Sequence, residues 1–280
     1  MTDEQLQKIN KLAEDVLRMS RNTLLVNLRF LDSALSMFEL FPTDEISVAT
    51  DGKYLLYNPA HILKRYKNEK EASVRDYLHI VMHCIFRHMY VHTLVNTTCW
   101  NLACDIAAEY AIWGLGLKSA KVSREVLMEE VFKELENEHV MITAEKLYRH
   151  YMDKNLSPEK LAELRGIFLA DDHEIWYMSD SEKAVAFVLP EPGAGNGSTA
   201  SGDGEGDGNG AGNSVSVSFS ASVIEQEWKE ISEKLQMDME TFSKDRGRDP
   251  GAMLQNLKEI NRENTIIPNS LKISPSCTRQ

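Results

Sequence analysis

Apolar positions in the first forty residues recur at steps of three and four: Leu6, Ile9, Leu12, Ala13 and Val16, then Leu24, Leu28, Leu31 and Leu35. That spacing lines one helix face and predicts helix over residues 3–40, with Ser20–Asn22 as the point where it would divide in two. Phe41-Pro42 ends it, because Pro disfavours helix at the residue before it. The period then changes. Ile46–Tyr57 holds two short strand-like runs around Asp51-Gly52, a pair that tolerates positive φ and predicts a two-residue hairpin. Asn58-Pro59 opens a short helix to about Tyr66. Residues 71–92 read as one apolar helix, and after the polar break Asn96–Thr98 a second runs over Cys99–Leu115, closed by Gly114 and Gly116. Further helices are predicted over 124–136, 143–153 and 158–168, the last opened by the cap residue Ser157 and Pro158. Another covers about Val223–Phe242, and after a turn at Arg246–Gly251 a short one reaches about Asn261. The pattern predicts a mostly α chain with a small β-hairpin or sheet, an α+β fold.

Nine of the fifteen glycines fall in residues 193–213, among Ser, Asn, Asp and Glu. No packed core comes from such a composition, so it reads as a flexible linker. The expected organisation is a helical body over 1–188, a Gly-rich acidic linker over 189–221, a helical segment over 222–262 that packs back on the body, and a tail over 263–280.

Composition adds limits. The chain has 280 residues, 42% hydrophobic and 26% charged, ordinary for a globular chain that needs no staples to build a core. Its net charge of −12 excludes general affinity for nucleic acid or an anionic membrane. The charge is concentrated: residues 171–225 hold ten acids and one base, Lys183. The four cysteines, Cys84, Cys99, Cys104 and Cys277, form no CxxC pair, and the polar start MTDEQLQKIN is not a signal peptide. The apolar run Leu78–Val91 is broken by His and Arg and is too short to span a bilayer. These features predict a cytoplasmic protein. No GxGxxG, GxxxxGK[ST] or GxSxG motif is present.

The chemistry lies in the two apolar helices. His79 and His83 are four residues apart, hence one turn apart on one face, a geometry that offers two imidazoles to one metal ion. His88 is rotated away from that face on a straight helix, and His88 and His92 make a second such pair. In the next helix Asp105 and Glu109 share a face that is otherwise apolar, where carboxylates are costly to bury unless paired or bound to metal. Antiparallel packing of the helices would give a zinc shell of His79, His83 and a carboxylate, either Asp105 or Glu109. The alternative is a polar network of the same residues without metal. His173, in the acidic run Asp171-Asp172-His173-Glu174, reads first as a solvated loop histidine, and otherwise as a further ligand or a residue behind the ligands. His61, His139 and His150 read as surface residues.

Residues 50–117 resemble the metal-dependent peptidase domain found N-terminal to a von Willebrand factor A-like domain in many bacterial proteins associated with MoxR-type AAA+ ATPases. The resemblance rests on Ala49-Thr50-Asp51-Gly52, Tyr57-Asn58-Pro59, the spacing His79…His83…His88, and Trp100-Asn101…Ala103…Asp105. It extends to Asp172-His173-Glu174-Ile175-Trp176, the Trp228 helix and Arg246-Gly247…Pro250-Gly251. It implies a zincin-like fold and a zinc site at His79, His83 and Asp105, with Glu109, His88 and His173 as further candidates. Two departures stand out. Ile80 occupies the Glu position of the family's HExxH motif, and an isoleucine accepts no proton. The family's A-like domain would begin where this chain ends, and no DxSxS motif appears. The expectation is a metallopeptidase-like protein, weakly active or inactive as a protease, in effect a pseudoenzyme, with Glu109 or Glu174 as stand-in bases. The alternative is a non-catalytic, metal-stabilised scaffold for a MoxR-like ATPase or an A-domain protein.

Overall fold

A computed structural model describes residues 2–90, 95–179, 221–246 and 251–262, with residues 182, 183 and 186. The expected linker up to residue 220, the turn residues 247–250, His92 and the tail 263–280 lie outside the described residues. The chain is mostly helical with one small sheet, as the apolar pattern predicts.

Helix α1 (Asp3–Asn27) opens on a capping box in which the Thr2 hydroxyl accepts from Gln5 N and the Gln5 side chain accepts from Thr2 N. It does not divide at Ser20–Asn22. Ser20 is fully buried and its hydroxyl donates to Val16 O at 2.9 Å, so the polar residue is satisfied within the helix. The helix expected to reach residue 40 ends earlier. A 3-10 turn (Arg29–Leu31) and a one-turn helix α2 (Asp32–Leu35) lead into strand β1 (Glu39–Pro42). This strand pairs in parallel with β3 (Tyr54–Tyr57), register Glu39↔Tyr54 to Pro42↔Tyr57. Four residues carry too little period to tell strand from helix, and the ladder to β3 decides. Pro42 has no N–H to give, which an edge strand tolerates.

Strand β2 (Val48–Thr50) pairs antiparallel with β3, giving the sheet order β1-β3-β2. The connection is longer than the two-residue turn expected. Of its residues only Gly52 takes a positive φ, +95°. The Asp51 carboxylate accepts from Lys53 N and Tyr54 N at 2.9 and 2.8 Å, building an Asx-type turn instead.

Helix α3 (Pro59–Asn68) is capped by Asn58, whose side chain accepts from His61 N. Helix α4 (Lys70–Ile85) is buried at every residue from Ala72 to Ile85 and forms the core of the molecule. Helix α5 (Thr97–Leu115) ends on Gly116 at φ +61°. Arg75 meets Glu109, His83 meets Asp105 and the His88 carbonyl meets Trp100, so α4 and α5 run antiparallel. Helices α6 (Glu125–Asn137), α7 (Ala144–Lys154) and α8 (Pro158–Phe168) follow within a residue or so of expectation. Helix α9 (Ala221–Arg246) reaches the sheet through Trp228, which is fully buried, lies 5.7 Å from the Phe38 ring and donates to Gly52 O at 2.7 Å. Helix α10 (Gly251–Ile260) lies on α5, with Ala252 against Gly114. Among the described residues no helix is long and apolar enough to cross a membrane.

Candidate metal centre

Helix α4 does not reach residue 92 as the pattern suggested. It stops at Ile85, and Arg87 turns the chain at φ +53°. His88 N then bonds back to His83 O at 3.0 Å, a five-residue step that re-aims the His88 ring. Instead of pointing away, His88 Nδ1 sits 2.9 Å from His83 Nδ1.

His79 and His83 point into the α4–α5 interface, fully buried, with their Nε2 atoms 2.8 Å apart. Asp105 Oδ1 lies 3.4 Å from each of these nitrogens. From the loop after α8, Asp171 Oδ1 lies 3.5 Å from His79 Nε2 and 3.8 Å from His83 Nε2. One donor atom from each of these residues lies within 4.8 Å of all the others. A tetrahedral ion with ligands about 2.0–2.1 Å away spaces its donors about 3.3–3.4 Å apart, close to most of these separations. The oxygens fit the same reading. Asp105 Oδ1 and Asp171 Oδ2 are buried without a hydrogen-bond partner, and an orphaned buried carboxylate oxygen is expensive unless something positive completes it.

Glu109, the other carboxylate of the α5 pair, faces elsewhere. Its Oε1 lies 3.0 Å from His79 Nδ1, on the opposite side of the ring from the cluster, and its Oε2 accepts from Arg75 Nε at 2.6 Å. Arg75, 1% exposed, is held in turn by Ala120 O and Glu125. Both imidazoles are therefore gripped at Nδ1, His79 by a carboxylate and His83 by His88, which leaves both Nε2 atoms turned toward the acids. For His83 to keep Nε2 free as an acceptor, its Nδ1–H must donate to His88 Nδ1.

The expected solvated loop histidine is not solvated. His173 is 4% exposed, with Nε2 2.9 Å from Asp171 Oδ1 and 3.3 Å from Asp105 Oδ1. Its ring stacks on Trp176, centroids 3.8 Å apart and planes 16° from parallel. Asp171 and His173 are buried while Glu174 stays exposed, because the buried Ile175 and Trp176 hold one face of the run inward. Of the remaining histidines, His139 is exposed and His61 and His150 are half-buried.

Burial opposes charge on every one of these groups, and neighbours decide the outcome. For His79, burial is outweighed by Asp105, Asp171 and Glu109, so its pKa is raised well above the ordinary value. His173 is also raised, by Asp171 and Asp105 against burial. His83 is pushed down to about 4 by burial and by the proximity of His79. Despite burial, Glu109 is held down at about 2 by Arg75 and His79. Asp171 lies well below the usual carboxylate range through His173 and His83. The acids that raise His79 and His173 would equally favour a divalent cation on the Nε2 side of the cluster.

Beside the cluster opens a cavity of about 380 Å³, walled by Asp105, Asp171 and His173 on the inside and by Asn101, Arg165 and Glu174 toward the surface. Its size suits a small ligand or one to two residues of a peptide. Ile80, one residue beyond His79, is 1% exposed and belongs to the hydrophobic core.

Asp171 and Arg75 were not among the candidate site residues read from sequence, and Trp176 entered only through the family resemblance. An Asp-x-His step followed one residue later by Ile-Trp is a signal for an inward-turned loop. Arg75, one base in a buried apolar helix, fell to the same cost argument that flagged Asp105.

A family model described as "Putative metallopeptidase domain" matches residues 19–268. No curated protein and no solved structure matches the chain.

Proposed function

Because the chain belongs to this metallopeptidase-domain family, we propose that it holds zinc on His79, His83 and Asp105 but has lost the side chain that makes such a site an efficient protease. The observation that carries the zinc reading is the convergence of two Nε2 atoms and two carboxylates in one buried cluster, where Asp105 Oδ1 and Asp171 Oδ2 have no hydrogen-bond partner. Two imidazoles and carboxylate oxygen are a donor set suited to zinc. Bound there, zinc would act as a Lewis acid and lower the pKa of a water ligand.

The weak point is proton removal. Ile80 stands where the resemblance calls for Glu, and its side chain has no proton acceptor. Glu109 is no substitute, since both of its oxygens are committed to His79 and the arginines Arg75 and Arg124. Glu174 lines the cavity from an exposed position. The reading is therefore a metallopeptidase-like protein of weak or absent protease activity.

Metal analysis on protein purified without a His tag tests the zinc. No stoichiometric metal, together with a melting temperature indifferent to chelator, would sink it. Casein digestion compared between the wild-type chain and His83→Ala tests residual activity. Ile80→Glu is the sharper variant, and zinc-dependent hydrolysis gained there is the expected result of an intact site that lacks only its base.

A second reading, a scaffold for a MoxR-like AAA+ ATPase or an A-domain protein, takes support from one surface feature. Leu12, Met19 and Val26, spaced by seven on α1, are 51%, 43% and 78% exposed, an apolar row open to a partner. Protease activity that disappears in His83→Ala would count against it.

A further inference from the structure

The cluster draws its donors from two kinds of backbone. His79, His83 and Asp105 project from α4 and α5, which are packed together at the centre of the molecule. Asp171 comes from the irregular stretch between α8 and the 3-10 turn Glu174–Tyr177. Hydrogen bonds tie that stretch to neighbouring elements at its ends and at Asp172, and the buried Ile175 and Trp176 anchor the turn that follows it. Asp172 N donates to Val48 O of the edge strand at 2.8 Å, Arg124 donates to Leu169 O at 3.0 Å, and Tyr177 bonds Asn101. A catalytic zinc site keeps three protein ligands and an exchangeable fourth position, whereas a structural site fills all four. Here the fourth residue of the cluster, Asp171, comes from the loop and lines the 380 Å³ cavity.

Resting on the zinc reading above, we propose that Asp171 closes the metal's shell from a displaceable loop. The ligands of the opened site would be metal-binding carbonyl compounds, namely peptide carbonyls and their hydroxamate analogues, entering through the cavity. Three features support this. The two helices supply a complete three-donor set without the loop. Asp171 lines the cavity, so a ligand entering there reaches the cluster on the side of the loop carboxylate. The loop also carries His173 and Trp176 against His83, so its departure uncovers one face of the site.

The test uses the full chain loaded with cobalt(II) in place of zinc and titrated with acetohydroxamate, read by visible absorption. The wild-type spectrum is expected to respond only at high hydroxamate. Asp171→Ala is expected to bind cobalt and respond at a concentration at least ten-fold lower. Equal half-saturation in the two proteins, or an unresponsive variant, overturns the proposal. Should Asp171→Ala fail to fold or to hold cobalt, X-ray absorption on zinc-loaded wild-type protein decides. A four-coordinate shell with no water upholds the closure, and a shell with an exchangeable water overturns it while leaving the zinc reading standing. Wild-type protein that takes up neither metal overturns both.

Discussion

Glu109 Oε1 sits 3.0 Å from His79 Nδ1 while the other oxygen of the same carboxylate holds Arg75. One buried acid thus fixes the ring orientation of a candidate ligand and anchors it to a buried base. Partners of this kind raise ligand basicity, and their loss typically weakens metal binding by about 10–100-fold. Glu109→Gln keeps an acceptor at Nδ1 but removes the charge, so zinc affinity measured by chelator competition is expected to fall within that range. A lowered melting temperature with unchanged affinity would reduce Glu109 to a structural partner of Arg75.

The chelated protein is expected to be most stable near pH 6.5, the ordinary His value. His83, pushed down to about 4, contributes stability that is present above 6.5 and lost as pH falls toward 4, on the order of 3 kcal/mol. Glu109, lowered from 4.5 to about 2, adds a further loss at lower pH. His79 and His173 act in the opposite sense. Their raised values stabilise the fold below 6.5, and that contribution fades as pH rises through them. Urea midpoints from pH 4 to 9 check this, and a midpoint that climbs steadily through pH 9 would contradict it.

Metal removal should be visible in melting. An ion held at about a hundred times its Kd adds about 2.7 kcal/mol, or about 5–10 °C for a chain of this size. Differential scanning fluorimetry with and without a chelator measures it. Protein in which His79 and His83 are both Ala should lose the shift.

Trp228 is expected to hold α9 to the sheet through its bond to Gly52 O. Trp228→Phe keeps most of the ring but leaves that buried carbonyl unpaired, for a loss of about 1–3 kcal/mol. Trp228→Ala should cost about 3–5 kcal/mol. Urea unfolding decides, and a Phe variant as stable as the wild type would remove the hydrogen bond from the account.

The helices and the α4–α5 pairing were legible because burial of an apolar stripe at helical period leaves a strong trace. His79, His83, Asp105 and Glu109 followed from spacing plus the cost of burying charge. What sequence could not supply was partner choice. Asp105 and Glu109 share one face, and the positions of Arg75 on α4 and Arg124 before α6 draw Glu109 to the far side of the His79 ring. The first half of strand β1, Glu39 and Leu40, was read as helix because the strand's order is donated by β3. His173 was read as solvated because local composition does not reveal that Trp176 packs inward beside it.

The Trp228–Gly52 bond joins residues 176 positions apart. Closure entropy rises only logarithmically with the length of the intervening chain, by about 0.6 kcal/mol for each doubling. The glycine-rich stretch before α9 can therefore lengthen or shorten at little thermodynamic cost. What keeps α9 in place is its buried face, with Trp228 at the centre, and α10 packed beside it.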